Sequence, residues 1–230
     1  MLLLLLIELI IVKFYDLFIS IKNRNNRKIH LYGINLYVGL YGQGKTISMV
    51  DYLQRMRKRY GSNIKIATNF YYNDEDFRIN TWHDLLPEYD TPVIFAYDEI
   101  QNDFNSRDYK NFPTELLTLL TQNRKGNGKQ IIATAQRYTR VDKVFRELTS
   151  VIIECNCLFG RLVSNKYYDW FDYEQLINAI GLDKKTKVKK KRTYRFIQYE
   201  KHRNAYDSFQ TLQSAKSKEY MDRTETIKLL

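Results

Sequence analysis

The chain has 230 residues, of which 44% are hydrophobic and 14% aromatic. That length supplies apolar side chains for one well-packed domain with short extensions and argues against two domains of ordinary size. The 37 Lys and Arg against 26 Asp and Glu leave a formal net charge of +11, which attracts polyanions such as nucleic acid or an acidic membrane face.

The first twenty residues, MLLLLLIELIIVKFYDLFIS, predict an apolar helix. Drawn at about 100° per residue, Glu8, Lys13, Asp16 and Ser20 share an arc of about 140°. This pattern favours a helix lying in a membrane interface over one that crosses the bilayer, and the basic segment 22–28 would then face anionic headgroups. The alternative is a helix that docks on the core or on a neighbouring subunit.

A phosphate-binding motif follows at 39–46, which reads GLYGQGKT and matches GxxxxGK[ST]. A short buried strand is predicted at 34–38 and a helix at 45–60, so the motif lies in the strand, loop, helix context that it requires. This context disfavours the alternative of an ordinary glycine turn.

The residue types in the motif explain how it would hold the phosphates of ATP. Backbone N–H groups in a glycine-rich loop can approach phosphate closely, and the N-terminus of the following helix is electrically positive. Lys45 is expected to reach the β and γ phosphates, and Thr46 to ligate Mg²⁺. The other expected nucleotide-binding residues are Gly39, Gly42, Gln43 and Gly44.

A second motif is the apolar strand 93–97, which ends in two acids. Asp98 is expected to hold the hydration shell of Mg²⁺, and Glu99 to orient and deprotonate the attacking water. Taken alone, the pair could also be solvated acids that merely end a strand.

A third strand, 130–135, ends in Gln136, and the ends of parallel strands meet near the nucleotide. Gln136 is therefore a candidate sensor of the γ phosphate or the attacking water, the alternative being a polar residue that simply leaves a strand. An arginine often completes such a site, sometimes from a neighbouring subunit. We favour Arg124, since its loop leads into this strand; the other choices are Arg137, Arg140 and Arg146.

Basic charge is densest at 184–192, KKTKVKKKR, which predicts a solvated loop or hairpin end. It is interpreted as a phosphate contact without base readout, with a solubilising loop or an anionic-lipid patch as alternatives. The helix 45–60 adds a second basic cluster, made of Arg55, Arg57, Lys58 and Arg59.

The remaining elements complete an α/β pattern that predicts a mainly parallel sheet with helices on both faces. They are strands at 64–68 and 150–156, helices at 114–124 and 141–147, and an irregular insert with a short helix at 69–89. The predicted organisation is an apolar helix with a basic flank at 1–28, a P-loop ATPase domain at 29–180 and a basic extension at 181–230. Cys155 and Cys157 would face one side of their strand and are interpreted as reduced thiols.

The order of these motifs resembles the FtsK/HerA superfamily of DNA-pumping ATPases. Within it, the chain is similar to the zonula occludens toxin-like ATPases, which are morphogenesis proteins of filamentous phages, over about 34–172. The segments that carry the likeness are DEIQ at 98–101, FNSR at 104–107, NRKG at 123–126 and IIATAQ at 131–136. A small genome-packaging ATPase of the kind found in membrane-containing phages is an alternative within the same superfamily.

The resemblance implies a RecA-like P-loop NTPase that uses ATP and Mg²⁺ and assembles into a homo-oligomeric ring. The function expected is an ATP-driven, sequence-independent DNA translocase for virion assembly, genome packaging or DNA extrusion, placed at the cytoplasmic face of the host membrane or in the virion. One alternative is a membrane-associated assembly factor that moves proteins such as coat subunits. Another is a nucleotide-binding structural protein with negligible turnover, which the acid at Glu99 disfavours.

Overall fold

The structure, a computed structural model, describes residues 2–22, 29–102, 104, 114–122, 127–181 and 188–207. Contacts divide the chain into two units, Met1–His30 and Leu31–Leu230. Helix α1 (Leu2–Lys22) belongs to the first unit and confirms the predicted N-terminal helix. In the described part of the chain, no helix combines the length and the apolar character that crossing a membrane would require.

The second unit is built on a sheet to which eight of the described strands contribute. These are β1 (Gly33–Val38), β2 (Lys65–Thr68), β4 (Phe77–Arg78), β5 (Val93–Tyr97), β6 (Lys129–Ala135), β7 (Thr149–Leu158), β8 (Leu162–Tyr168) and β9 (Arg192–Ile197). Their spatial order is β4-β2-β5-β6-β1-β7-β8-β9. The pairs from β4 to β7 are parallel, whereas β7, β8 and β9 pair in antiparallel fashion. Two short strands, β3 (Tyr71–Tyr72) and β10 (Tyr206–Asp207), form a separate antiparallel pair.

Helices cover the two faces of this sheet. They are α2 (Lys45–Tyr60), α3 (Thr114–Gln122), α4 (Lys143–Glu147), α5 (Trp170–Gly181) and α6 (Glu200–Arg203). Along β1 successive side chains alternate between the faces. Leu36 enters a core shared with α3, α4 and α5, whereas Tyr37 lies close to Tyr52 and Arg55 of α2. The central strands are buried on both faces, which is why they read as continuous apolar runs.

The predicted mainly parallel sheet with helices on both faces is confirmed, and element bounds agree closely with those predicted. Helix α2 has the predicted bounds, and the helix predicted at 114–124 is described up to Gln122. The insert at 69–89 contains β3, β4 and a short 3-10 helix at Trp82–Leu85.

Beyond β7 the structure contains elements that the sequence did not predict. Strand β8 returns antiparallel along β7, α5 follows it, and β9 then pairs with β8. Part of the predicted basic extension is therefore an integral strand of the sheet.

The topology brings the predicted motifs together. Strands β5, β6 and β1 are adjacent and parallel, so their carboxyl ends lie at one edge of the sheet. Those ends lead directly into Asp98, Gln136 and Gly39. This edge is where open parallel sheets bind their ligands.

Candidate nucleotide site

Glycines shape the loop between β1 and α2. Gly44, at the N-cap of α2, has a φ of 79°, and Gly42 has a φ of 73°, both in the region that favours glycine. At Gly39 a Cβ would lie only 3.0 Å from the carbonyl oxygen of Cys155 on β7, so a side chain would fit only if that strand moved by a few tenths of an ångström. The loop can therefore turn tightly against β7 and end on a helix N-terminus, the arrangement that binds phosphate groups.

Lys45 lies in the first turn of α2 and is largely buried. Its Nζ donates a hydrogen bond to the carbonyl oxygen of Leu40, 3.1 Å away within the same loop. Burial lowers the pKa of Lys45, and the nearby carboxylate of Asp98 opposes that shift. The loop thus carries a partly desolvated cation beside the place where phosphates would bind.

The Asp98 carboxylate is held by two hydroxyl groups. Thr46 Oγ1 donates to Asp98 Oδ1 over 3.0 Å, and Thr134 Oγ1 on β6 donates to the same oxygen over 2.6 Å. Burial raises the pKa of Asp98 despite these two bonds, which act in the opposite direction. A buried carboxylate of this kind is stabilised by an added cation.

These residues fit a magnesium ion. Mg²⁺ prefers oxygen ligands and usually takes one or two from the protein, with the others from substrate phosphates and water. The Thr46 hydroxyl and the Asp98 carboxylate converge to 3.0 Å in front of the phosphate loop. Among the described residues no group of three or more His, Cys, Asp or Glu could hold a metal ion. The remaining ligands of an ion at Thr46 and Asp98 would come from nucleotide phosphates and water.

Glu99 occupies a special backbone position, since its φ of 53° is uncommon for any residue other than glycine. Its N–H donates to Thr134 Oγ1 over 2.9 Å, which helps to hold that conformation. Its side-chain Oε1 accepts a hydrogen bond of 2.8 Å from Nε2 of Gln136. The candidate base and the candidate sensor are thus in direct contact.

Two residues that sequence reasoning missed position this acid pair. Thr134 bonds both the side chain of Asp98 and the backbone of Glu99, as described above. Asn69, just after β2, accepts from Asp98 N–H with Oδ1 over 2.7 Å and donates to Asp98 O with Nδ2 over 3.1 Å. The available signal was that both are polar residues at or just past the carboxyl end of strands flanking β5.

The side chain of Gln43 has a structural task. Its Oε1 accepts a hydrogen bond of 3.2 Å from the N–H of Cys157 on β7. The same bond fastens the phosphate loop to the β7–β8 hairpin. The backbone N–H of Gln43 donates to the carbonyl of Leu40 over 3.3 Å, and the predicted contact of Gln43 with nucleotide stays a prediction.

No family model matches this chain, and no curated protein matches it. Among solved structures, the N-terminal domain of zonular occludens toxin from Neisseria meningitidis is 17% identical, with a TM-score of 0.52. The alignment covers 77% of this chain and 100% of that domain.

The two chains share one fold.

The likeness to the Neisseria domain confirms the RecA-like P-loop NTPase fold expected from the motifs. The genome-packaging NTPase B204 of Sulfolobus turreted icosahedral virus 2, in complex with AMP, also matches, at 14% identity and a TM-score of 0.48. That alignment covers 61% of this chain and 93% of B204.

The four candidate arginines are placed differently. Arg124 lies outside the described residues. Arg146 binds Glu174 over 3.1 Å and lies over the ring of Tyr138, so it has a structural role. Arg140 is exposed. Arg137, which directly follows the sensor, is exposed and lines a cavity of 470 Å³ beside the phosphate loop.

The basic segments are only partly available for a polyanion. Of the run 184–192, residues 184–187 lie outside the described residues, and Lys189 and Lys190 are exposed. Lys191 binds Asp169 over 2.7 Å, and Arg192 lies 4.0 Å from the ring centre of Tyr167.

The basic cluster on α2 is likewise partly committed to internal contacts. Arg55 pairs with Asp51 over 2.9 Å, and Arg57 pairs with Asp74 and Asp76. These two arginines stabilise the fold, which leaves Lys58 and Arg59 as the members of the cluster without such a pair among the described residues.

Proposed function

We propose that this protein is an ATPase that moves DNA during phage virion assembly, genome packaging or DNA extrusion. The observation that carries the proposal is the convergence of a phosphate loop, a buried Asp98 bonded to Thr46 and a Glu99 in contact with Gln136. The net charge of +11 supports a polyanionic substrate that is bound without regard to sequence.

In this proposal each residue has a separate task. Lys45 and the loop N–H groups bind the phosphates of ATP, and Thr46 and Asp98 hold Mg²⁺, which would neutralise charge on the β and γ phosphates. Glu99 accepts a proton from the attacking water. Gln136 donates to only one oxygen of the Glu99 carboxylate, so acceptor sites remain for the attacking water, and the amide would help to orient that carboxylate.

The proposal includes assembly into a homo-oligomeric ring, in which a neighbouring subunit supplies an arginine to the γ phosphate. Arg124 remains our candidate for that arginine. We place the ring at the cytoplasmic face of the host membrane or in the virion, and helix α1 supports contact with a membrane surface because of its apolar composition.

Phosphate release with and without DNA tests the proposal. Single-stranded and double-stranded DNA are assayed separately. We expect at least one of the two forms to raise turnover severalfold. Glu99→Gln should lower turnover roughly 100-fold or more while ATP binding is retained, because only the proton acceptor is lost. Glu115→Gln, at an exposed carboxylate on α3, is the matched control and should behave as the wild type. Turnover that neither form of DNA changes would contradict DNA as the substrate.

A second candidate is an assembly factor that uses ATP to move coat or other proteins at a membrane. The apolar helix α1 favours it. Lys189→Gln/Lys190→Gln discriminates between the two, since both lysines are exposed. Lost stimulation by DNA with intact binding to anionic vesicles supports the DNA motor, and the reverse result supports the assembly factor.

A further inference from the structure

The end of the β7–β8 hairpin has an unexpected residue in its turn. Phe159 and Gly160 have φ values of 51° and 63°, and Arg161 N–H donates to the carbonyl of Leu158 over 3.2 Å. Two central residues with positive φ are typical of a type I′ turn, for which Asn-Gly is the favoured pair. Phenylalanine rarely adopts this conformation, and here its side chain is 94% exposed. Neither turn preference nor packing against the described residues explains the ring.

Hydrogen bonds from residues outside the turn stabilise its strained conformation. The carbonyl of Gly160 accepts two hydrogen bonds of 2.8 Å, from Nε2 of Gln198 and from Nη2 of Arg203. The carbonyl of Arg161 accepts a third, from Gln198 N–H over 2.9 Å. Backbone strain persists where surrounding contacts enforce it, and such positions cluster at functional sites. The turn therefore presents the Phe159 ring on a fixed support.

The surface around the ring has two rows of side chains. Leu158, Leu162 and Ile197 are paired in register across β7, β8 and β9, so they share one face. Leu158 and Ile197 are 45% and 49% exposed. The next row on that face consists of Asn156, Ser164 and Arg195, and is polar and basic. We call these six residues together with Phe159 the hairpin-tip surface.

This surface is connected to the nucleotide site. Val38, the last residue of β1, lies opposite Glu154, and β7 continues four residues to Leu158. The tip therefore projects roughly 13 Å beyond the strand that carries the phosphate loop. The bond from Cys157 N–H to Gln43 Oε1 and the close approach of Gly39 to Cys155 join the two features.

We propose that the hairpin-tip surface binds a nucleic acid strand, with Phe159 stacked on an unpaired base and Arg195 beside the phosphates. Exposed aromatic rings next to cations are the combination that binds single strands without sequence preference. The charged groups around the tip favour a polyanion over a second copy of this basic chain. Arg161 pairs with Glu200 over 2.7 Å, which leaves a net positive charge from Arg195, Lys201 and Arg203. The proposal rests on the proposed function, because it names where the DNA moved by the ATPase is contacted.

The test uses two substitutions of the same residue in the full chain. Phe159→Asn removes the ring and installs the Asn-Gly pair that a type I′ turn favours, whereas Phe159→Tyr keeps the ring. Binding of a fluorescent oligothymidylate of about 30 nucleotides, longer than the site of one single-strand-binding domain, is measured by anisotropy. We expect Phe159→Asn to bind roughly five- to hundredfold more weakly and Phe159→Tyr to bind as the wild type.

Two further measurements separate loss of the ring from unfolding and from loss of charge. The melting temperature of Phe159→Asn should stay the same or rise by roughly 2–4 °C, because the strain is relieved. The dependence of affinity on salt should be unchanged in Phe159→Asn. In Arg195→Gln, which removes the cation that the proposal places beside the phosphates, the slope should fall by about 0.7.

The outcomes distinguish this inference from the proposed function. If Phe159→Asn binds the strand as the wild type does while DNA still stimulates turnover, the inference is overturned and the proposed function stands. If the wild type neither binds DNA nor responds to it, both fail. Weaker binding of Phe159→Asn to vesicles of anionic phospholipid, with unchanged binding to the strand, would also overturn it and would make the tip a membrane contact.

Discussion

At the scale of single residues, the geometry of the acid pair depends on side chains that contribute no acid or base. Thr134 and Asn69 bond Asp98 from two neighbouring strands, and Thr134 also binds the Glu99 N–H. Glu99 can hold its φ of 53° because the surrounding bonds enforce it. Thr134 thus helps to orient the backbone of Glu99, and with it the side chain of the candidate base.

Replacing Thr134 by valine tests this role. Valine has nearly the same shape but leaves Asp98 Oδ1 and Glu99 N–H each with one hydrogen bond fewer, so we expect a loss of about 1–3 kcal/mol in the free energy of unfolding. Turnover should fall roughly tenfold to hundredfold because the acid pair is misplaced. The Mg²⁺ concentration that gives half-maximal turnover should rise.

Thr134→Ser is the control for this change, since it keeps the hydroxyl group and should restore both turnover and Mg²⁺ dependence. A Thr134→Val enzyme that is merely less stable, with unchanged Mg²⁺ dependence, would show that Thr134 has a structural role only.

At the scale of elements, α6 and β9 connect the C-terminal part of the described chain to the phosphate-loop helix. His202 on α6 is buried, its Nδ1 accepts from Tyr199 N–H over 3.0 Å, and its Nε2 lies 3.6 Å from Asp51 on α2. Arg55 on α2 pairs with Asp51 and lies 4.6 Å from the ring centre of Tyr194 on β9. These contacts link α2 to elements more than a hundred residues further along the chain.

This connection predicts a pH dependence of stability. Burial lowers the pKa of His202, and Asp51 opposes that shift without reversing it. Since the folded pKa lies below the unfolded one, the unfolded chain binds the proton more readily, and stability is lost as the pH falls through the ordinary histidine range near 6.5. The melting temperature should therefore drop between about pH 7.5 and pH 5.5.

His202→Asn isolates the effect, because its amide oxygen can still accept from Tyr199 N–H but does not titrate. We expect the variant to lose less stability than the wild type over the same pH interval, as measured by thermal unfolding. An equal loss in both proteins would assign the pH dependence to other groups.

At the scale of the whole molecule, the candidate nucleotide site lies at the edge of the sheet where the parallel strands end. The cavity of 470 Å³ beside the phosphate loop is lined by Gln136, Arg137 and Tyr173, and it borders the loop at Leu40 and Gln43. In the ring that we propose, a neighbouring subunit would cover this edge and supply an arginine to the γ phosphate.

Assembly can be measured on a variant that binds ATP without hydrolysing it. For Glu99→Gln with ATP and Mg²⁺, light scattering coupled to size-exclusion chromatography should give a mass several times the 27.7 kDa of one chain. Lys45→Ala, which removes the phosphate contact, should stay smaller under the same conditions. A mass of one chain for Glu99→Gln, with ATP shown to be bound, would contradict the ring.

The amino-acid sequence by itself determined the elements whose signals are local. The phosphate loop is contiguous, its glycines are needed for its own path, and the buried parallel strands that lead into Gly39, Asp98 and Gln136 are continuous apolar runs. Motif and strand could therefore be predicted together, and the parallel order placed their ends at one edge.

Only the tertiary structure decided which side chains complete the site and what surrounds it. Asn69 and Thr134 are 29 and 35 residues away from the backbone groups that they bind, so their roles depend on which strands become neighbours. The hairpin-tip surface likewise exists only because β7, β8 and β9 pair in one register. A hydrogen bond requires its two groups to lie about 3 Å apart in space. The sequence gives only their separation along the chain, so it does not show which groups meet.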